Sequence, residues 1–210
     1  MIGIYGGTFN PVHYGHLRTA LEVKEIFECE QLRLLPCAQP AHRQQPQVSA
    51  KMRLQMLELA VVNTELIVDN RELQRQGYSY MVDTLANIRS ESPKQALILF
   101  IGEDAFQGLS QWHQWQGLFD YAHIVVMTRP DVKTSSNLSH FLSQRLVSDK
   151  KLLHKQLAGL LLFQNVTQLA ISATQIRKII SAQQNPQFLL PDSVITTITE
   201  QKLYKNIVGN

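Results

Sequence analysis

The stretch that decides the fold stands near the start of the chain and reads Ile2-Gly3-Ile4-Tyr5-Gly6-Gly7-Thr8-Phe9-Asn10-Pro11-Val12-His13-Tyr14-Gly15-His16. An apolar run typical of a buried strand ends in a glycine turn, after which apolar residues return at helical spacing. Short apolar runs and helical segments alternate along most of the remaining chain. Such alternation indicates parallel strands covered by helices on both faces. We therefore predict an α/β fold, a Rossmann-like doubly wound parallel sheet.

The same periodicity places the individual elements. It predicts strands at residues 2–5, 32–35, 66–68, 97–101 and 124–127, and helices at 16–28, after Ser49, at 80–89, around 173–180 and from Pro191. Residues from about 131 to 159 differ, because their helical pattern through Leu146 and Leu153 is polar and uneven. We interpret the chain as a single domain of residues 1–210 with a peripheral insertion at about 131–159.

Composition limits the classes of protein that remain. The 210 residues are 44% hydrophobic and 18% charged, which allows a buried core and argues against global disorder. The net charge of +3 is small and scattered, so it suits anionic small substrates or an ordinary solvated surface and does not indicate a nucleic-acid groove. Oligomeric state stays open, a homo-oligomer included.

Cysteine usage and the N-terminal sequence bear on location. Cys29 and Cys37 lack the paired spacing of a metal site, and we expect reduced thiols in a reducing compartment. The N-terminal sequence lacks the pattern of a signal peptide, and the longest apolar runs are about five residues. We expect a soluble, cytoplasmic protein with no membrane partner.

The loop after the first strand carries the first candidate site. Gly6 and Gly7 allow close approach of a ligand to the backbone, and a helix N-terminus behind them favours anions. His13 and His16 lie three residues apart, so both rings can face one way and donate to phosphate oxygens, with Gly15 keeping the wall open. The alternatives are a plain turn with structural histidines, or a zinc-binding pair, although no third ligand lies nearby in sequence.

A second candidate site lies far along the chain, at Ile171-Ser172-Ala173-Thr174-Gln175-Ile176-Arg177. Ser172 is placed as an N-cap, Thr174 adds a hydroxyl in the first turn, and Arg177 follows one turn later. Hydroxyls and a guanidinium at a helix N-terminus can bind a second phosphate. Taken alone, this segment is equally an ordinary capping sequence with a surface arginine.

Together the two segments resemble the H-x-G-H nucleotidyltransferase superfamily, the first through Gly6 to Leu17 and the second through its I-S-x-T-x-I-R element. The resemblance implies the nucleotidyltransferase (HUP-type) fold. It assigns catalysis to His13, His16 and Arg177. It assigns ATP binding to Gly6, Gly7, Thr8, Phe9, His13, His16, Gly102, Asp104, Ile171, Ser172, Thr174 and Arg177.

Within the superfamily, the chain resembles nicotinate-nucleotide adenylyltransferases over about residues 2 to 204. Matching segments are Pro40-Ala41-His42-Arg43 for P-P-H-[KR], Ser79 to Leu85 for S-Y-T-x-x-T-L, Ile101 to Asp104 for I-G-x-D, and Trp112 and Arg129-Pro130. Ala41, Met81 and His113 depart from the family residues. The resemblance assigns substrate binding to Thr8, His42, Arg43, Thr84, Trp112 and Arg129, with Trp112 stacking on the nicotinate ring. Asp69 and Glu72 are expected to be solvated or structural.

The activity implied is transfer of AMP from ATP to nicotinate mononucleotide, with Mg²⁺ bound by the ATP phosphates and no metal held by the protein alone. Rival readings are a pantetheine-phosphate adenylyltransferase, a cytidylyltransferase, and a nucleotide sensor that has lost catalysis. A class I aminoacyl-tRNA synthetase shares the H-x-G-H idea, but this chain is too short to include a tRNA-binding appendage.

Overall fold

Six parallel strands form one sheet in the computed structural model, which describes residues 1–40, 45–128, 138–167 and 169–205. The strands are β1 Ile2–Gly7, β2 Gln31–Pro36, β3 Leu66–Val68, β4 Leu97–Gly102, β5 His123–Thr128 and β6 Leu161–Asn165. Their order across the sheet is β3-β2-β1-β4-β5-β6, and every neighbouring pair is parallel. This is the order of a doubly wound Rossmann sheet, so the predicted fold class is confirmed.

Helices connect the strands and cover both faces of the sheet. They are α1 Tyr14–Ile26, α2 Ala50–Ala60, α3 Arg71–Gln74, α4 Met81–Glu91, α5 Glu103–Gln107, α6 Leu118–Tyr121, α7 His140–Ser143, α8 Ala173–Ser181 and α9 Asp192–Glu200. Short 3₁₀ turns occur at Leu109–Gln111, Trp115–Gly117 and Lys150–His154. In the part of the chain that the structure describes, no helix has the length and apolar character needed to cross a membrane.

Alternation along β4 shows how the two layers of core are built. Ile98 and Phe100 point into a cluster shared with α1, α2, α8 and α9. Leu97, Leu99 and Ile101 point into the opposite cluster, shared with α4, α5 and α6. All five side chains are essentially buried, as expected for a strand in the middle of a sheet with helices on both faces. Burial of these apolar surfaces is the main force that holds the layers together.

Helix α1 begins two residues earlier than the periodicity predicted. His13 has extended backbone angles (φ −150°, ψ 168°) and is the N-cap residue, so Tyr14 already belongs to the first turn. Ser49 caps α2 as predicted, because its side chain accepts a hydrogen bond from the Met52 amide. The early start of α1 matters for function, since it places both predicted histidines at the very N-terminus of a helix.

The residues interpreted as a peripheral insertion form no long helix where the structure describes them. Between residues 138 and 159 the backbone forms only α7 and the 3₁₀ turn at Lys150–His154. Leu153 is fully buried in the core, and the Leu161 amide and carbonyl bond to the backbone of Arg145 and Val147. These long-range contacts, which no local period encodes, fix the irregular backbone. Residues 131–137 lie outside the described residues.

Candidate active site

Two cavities open at the carboxyl ends of β1 and β4, where the strand order reverses. Such a switch point is where open α/β sheets bind ligands. The first, here called the histidine cavity, has a volume of about 510 Å³ and is lined by Tyr5, His13, Gly15, His16, Thr19, Gly102, Glu103, Asp104, Gln107, Met127, Leu169 and Ile171. The second, the tryptophan cavity, has about 330 Å³ and includes Gly6, Gly7, Thr8, Cys37, Pro40, Glu72, Ser79, Tyr80, Met81, Asp104 and Trp112 in its wall. Gly102 and Asp104 line both cavities, so the two spaces adjoin.

His13 and His16 form a stacked pair at the N-terminus of α1. Their ring centroids are 3.7 Å apart with 28° between the planes, and the Phe9 ring meets His16 edge-on at 5.1 Å. A Cβ atom on Gly15 would lie 3.0 Å from the His13 ring, tighter than nearly all real contacts. A side chain at position 15 would crowd the His13 ring, which favours glycine between the histidines.

Burial keeps both histidines neutral at neutral pH. Desolvation lowers the pKa of His13 to about 4, and desolvation together with repulsion from His13 lowers the pKa of His16 to about 3. The Nδ1 atom of His16 accepts from the His13 backbone amide at 3.3 Å. The proton of neutral His16 must then reside on Nε2, which leaves that N–H available as a donor.

His13 has an unused polar atom. Its side chain is almost fully buried, and Nδ1 has no hydrogen-bond partner in the described part of the chain. An unsatisfied buried nitrogen costs free energy comparable to a lost hydrogen bond. Native proteins leave such atoms where a ligand or water completes the bond.

The glycine turn faces the tryptophan cavity. Gly6, Gly7 and Thr8 all line that cavity and not the histidine cavity. Phe9, predicted to contact ATP, is 1% exposed and lines neither cavity. The Phe9 ring packs against Gly7 and His16, and its backbone has a positive φ of 46°; its contact with ATP stays a prediction.

The second motif meets the first through Asn10. Arg177 donates from Nη1 to the Asn10 carbonyl at 2.8 Å and from Nη2 to Thr174 Oγ1 at 3.1 Å. Ser172 caps α8 by accepting from the Gln175 amide, and Ile171 lines the histidine cavity. A guanidinium has five N–H donors, so these two bonds leave donors for a phosphate. The structure thus joins segments more than 160 residues apart in sequence.

Sequence reasoning missed the third partner of this junction. Tyr204 donates its hydroxyl to Asn10 Oδ1 at 2.7 Å, and its ring is buried in the core. Asn10 therefore receives one bond from α8 and another from the segment after α9. No local signal identifies Tyr204, because only the fold brings it to the loop.

Of the residues predicted to contact the substrate, Trp112 lines the tryptophan cavity and Thr84 does not. Trp112 is half-buried in its wall, as an aromatic platform requires. Thr84 is fully buried and lines neither cavity, since its hydroxyl donates to Glu72 Oε1 at 3.0 Å and accepts from Arg75. The Thr84 side chain is thus bonded to the protein, and its contact with substrate stays a prediction. His42, Arg43 and Arg129 lie outside the described residues.

Two buried charged side chains near the site were not predicted to contribute to it. Glu72 is 4% exposed and lines the tryptophan cavity, although we expected a solvated or structural carboxylate. Asp69 is structural, through ion pairs with Arg33 and Arg71. Arg53 is 1% exposed and donates to three backbone carbonyls around the site. In sequence, Glu72 and Arg53 look like ordinary residues of amphipathic helices.

Comparison with known proteins agrees with this geometry. The cytidylyltransferase-like family model matches residues 4–179. A probable nicotinate-nucleotide adenylyltransferase of Methylococcus capsulatus is 49% identical over 208 residues, covering 97% of this chain and 99% of the relative. One from Pseudomonas aeruginosa is 48% identical, with 97% of each chain covered. The chain belongs to the nicotinate-nucleotide adenylyltransferase family.

The fold of this chain is also similar to those of solved structures. The nicotinic acid mononucleotide adenylyltransferase of Plasmodium falciparum, solved with NaAD, superimposes with a TM-score of 0.72 over 97% of this chain and 96% of that one. A putative nicotinate-nucleotide adenylyltransferase of Vibrio parahaemolyticus gives a TM-score of 0.64 over 98% of this chain and 95% of that one. Sequence identities of 16% and 13% make these likenesses evidence for the fold that this adenylyltransferase family shares.

Proposed function

We propose that this chain transfers AMP from ATP to nicotinate mononucleotide, giving nicotinate adenine dinucleotide and pyrophosphate, a step of NAD biosynthesis. The observation that carries this proposal is the pair of adjoining cavities at the switch point, one with the histidine pair and one with an aromatic wall. Two substrates that must react with each other need two neighbouring pockets. The full-length relatives that share nearly half of the residues bear the name of this activity.

We assign ATP to the histidine cavity and the mononucleotide to the tryptophan cavity. Neutral His16 offers an N–H donor, and the N-terminus of α1 adds its partial positive charge, both of which suit phosphate oxygens. Trp112 offers a flat face for a flat nicotinate ring. The shared wall at Gly102 and Asp104 would then lie where the two phosphates meet.

The reaction follows from this placement. A phosphate oxygen of the mononucleotide attacks the α-phosphorus of ATP in line, a new P–O bond forms, and the bond to the bridging oxygen breaks to release pyrophosphate. The attacking monoester is already anionic near pH 7, so no general base is required. Catalysis rests on positioning and on donors aimed at the transferring phosphorus, which we assign to His13, His16, Thr8 and Arg177.

Mg²⁺ fits this site as part of the ATP complex. Among the described residues, no group of three or more His, Cys, Asp or Glu side chains could hold a metal ion. Mg²⁺ keeps several waters and is commonly bound through substrate phosphates with one or two carboxylates. Glu103 and Asp104 line the histidine cavity and are the carboxylates that could contribute. Bound there, the ion would neutralise phosphate charge during transfer.

The test is release of pyrophosphate with ATP and Mg²⁺, comparing nicotinate mononucleotide, nicotinamide mononucleotide and phosphopantetheine. We expect strong preference for the nicotinate form, and we place the enzyme in the cytoplasm, where its thiols stay reduced. Turnover with phosphopantetheine alone would replace the substrate assignment, and silence with all three acceptors would indicate a sensor.

A further inference from the structure

Residues 37–40, which follow β2, form one wall of the tryptophan cavity. Cys37 and Pro40 both line it, and the Cys37 amide donates to the Gly7 carbonyl at 2.9 Å. This segment has left the sheet ladder, so other partners must satisfy its backbone groups. Those partners decide where the wall of the cavity stands.

Ser79 holds this segment from the side of α4. Its Oγ atom accepts from the amides of Ala38 at 3.2 Å and Gln39 at 3.3 Å, and its own amide donates to the Gln39 carbonyl at 3.0 Å. On the other side, the buried Arg53 donates to the Ala38 carbonyl at 3.1 Å. Both backbone polar groups of Ala38 are therefore anchored by side chains.

Glu72 is buried next to Ser79 and is hydrogen-bonded to it. Its carboxylate accepts from Thr84 at 3.0 Å and is also hydrogen-bonded by the Ser79 hydroxyl and the Ala38 amide. Burial raises its pKa, which these hydrogen bonds and the nearby Arg75 charge partly offset. An ionised carboxylate accepts hydrogen bonds and donates none. Its negative charge would also repel an anionic substrate. Glu72 also lines the cavity, but its hydrogen-bond donors belong to the protein, so we take its effect on a ligand to run through the wall it holds.

We propose that Glu72, through Ser79, is a positioning residue for the acceptor nucleotide: together they fix residues 37–40 as one wall of the tryptophan cavity. This inference rests on the proposed function, because it takes the mononucleotide as the occupant of that cavity. Loss of the carboxylate leaves the Ser79 hydroxyl without its buried acceptor, and the wall that Ser79 anchors relaxes. The histidine cavity does not include Glu72 or Ser79 and keeps its shape.

The experiment compares the wild type with Glu72→Gln and Ser79→Ala in steady-state kinetics, varying ATP and nicotinate mononucleotide separately. We expect the KM for the mononucleotide to rise about 10-fold in each variant, the effect of leaving one buried hydrogen-bonding group unpaired. The KM for ATP should change less than about 2-fold. Ser79→Ala is the smaller change and serves if Glu72→Gln fails to fold.

The matched control is Asp69→Asn, which removes a carboxylate three residues away that lines neither cavity. It should lower the melting temperature without changing either KM. Unchanged KM for the mononucleotide in both test variants, or an equal rise in both KM values, would overturn the positioning role. A wild type that releases no pyrophosphate with nicotinate mononucleotide would instead overturn the proposed function, and this inference with it.

Discussion

At the scale of single residues, the histidine pair shows how packing converts a common side chain into a specific donor. His13 and His16 are held neutral by burial, and the amide of His13 sets the tautomer of His16. A neutral ring donates one oriented N–H to phosphate and pays less desolvation than a charged ring. The stacked geometry thus orients the donor that we propose binds an ATP phosphate.

Replacing His16 with alanine should lower kcat by about 10²–10³-fold, the usual effect of removing one preorganised donor to a transition state. Circular dichroism should stay close to wild type, because His16 belongs to neither of the two apolar core clusters. The control is His154→Ala, an exposed histidine remote from both cavities. Unchanged kcat in the His16 variant would refute its assigned role.

The same pair predicts a pH dependence of stability without ligand. Their pKa values fall from about 6.5 in the unfolded chain to about 4 and about 3 in the folded one. Between these values the unfolded chain binds more protons, so the free energy of unfolding falls as pH drops below about 6.5. Urea denaturation measures this effect at pH 7.5 and pH 5. Between these two pH values, the free energy of unfolding should fall less in the His13→Asn, His16→Asn double variant than in the wild type. An equal loss in both proteins would contradict the lowered pKa values.

At the scale of elements, helix α2 acts as a brace for the loops of the active site. Arg53 donates to the carbonyls of Thr8 at 2.6 Å, Ala38 at 3.1 Å and Val48 at 3.4 Å. Burial lowers its pKa, and among the described residues no carboxylate pairs with it. One guanidinium therefore links the loop after β1 to the loop between β2 and α2.

Arg53→Met should lower the free energy of unfolding by about 2–4 kcal/mol, because several buried carbonyls lose their donor. The neighbouring exposed residue of the same helix supplies the control: Lys51→Met should change stability by less than about 0.5 kcal/mol. Urea denaturation measures both variants. If the two variants were equally stable, the prediction would be wrong: local rearrangement or water would then satisfy the carbonyls that Arg53 bonds.

At the scale of the whole molecule, the reversal of strand order between β1 and β4 separates the helices and opens the crevice. α1, α5 and the segment before α8 bound the histidine cavity, and α4 with the 3₁₀ turn at Leu109–Gln111 bounds the tryptophan cavity. Changes in the two cavities should therefore affect different substrates.

Trp112→Ala should raise the KM for nicotinate mononucleotide about 10-fold or more, since stacking on a flat ring contributes about 1–3 kcal/mol, and leave the KM for ATP nearly unchanged. Trp115→Ala is the matched control, because this tryptophan packs against Phe141 and lines neither cavity. The Trp115→Ala variant should be less stable than the wild type and should leave both KM values unchanged. Parallel changes in both KM values for the Trp112 variant would contradict the division of substrates.

The sequence by itself determined the class of fold and the pair of candidate phosphate-binding motifs. Buried parallel strands are continuous apolar runs, and the histidine spacing and the cap at Ser172 are local patterns, so each can be read from neighbouring residues. The same locality leaves the roles of Phe9 and Thr84 as predictions: both match family positions, but their burial depends on the residues that pack against them.

Only the tertiary structure decided how the distant parts meet. The bond of Arg177 to Asn10, the bond of Tyr204 to the same residue, and the anchoring of Ala38 by Arg53 and Ser79 each join segments remote in sequence. The lowered pKa values of the histidines likewise arise from desolvation by surrounding atoms. Burial and long-range hydrogen bonds are properties of the packed chain, and no local pattern of residues encodes them.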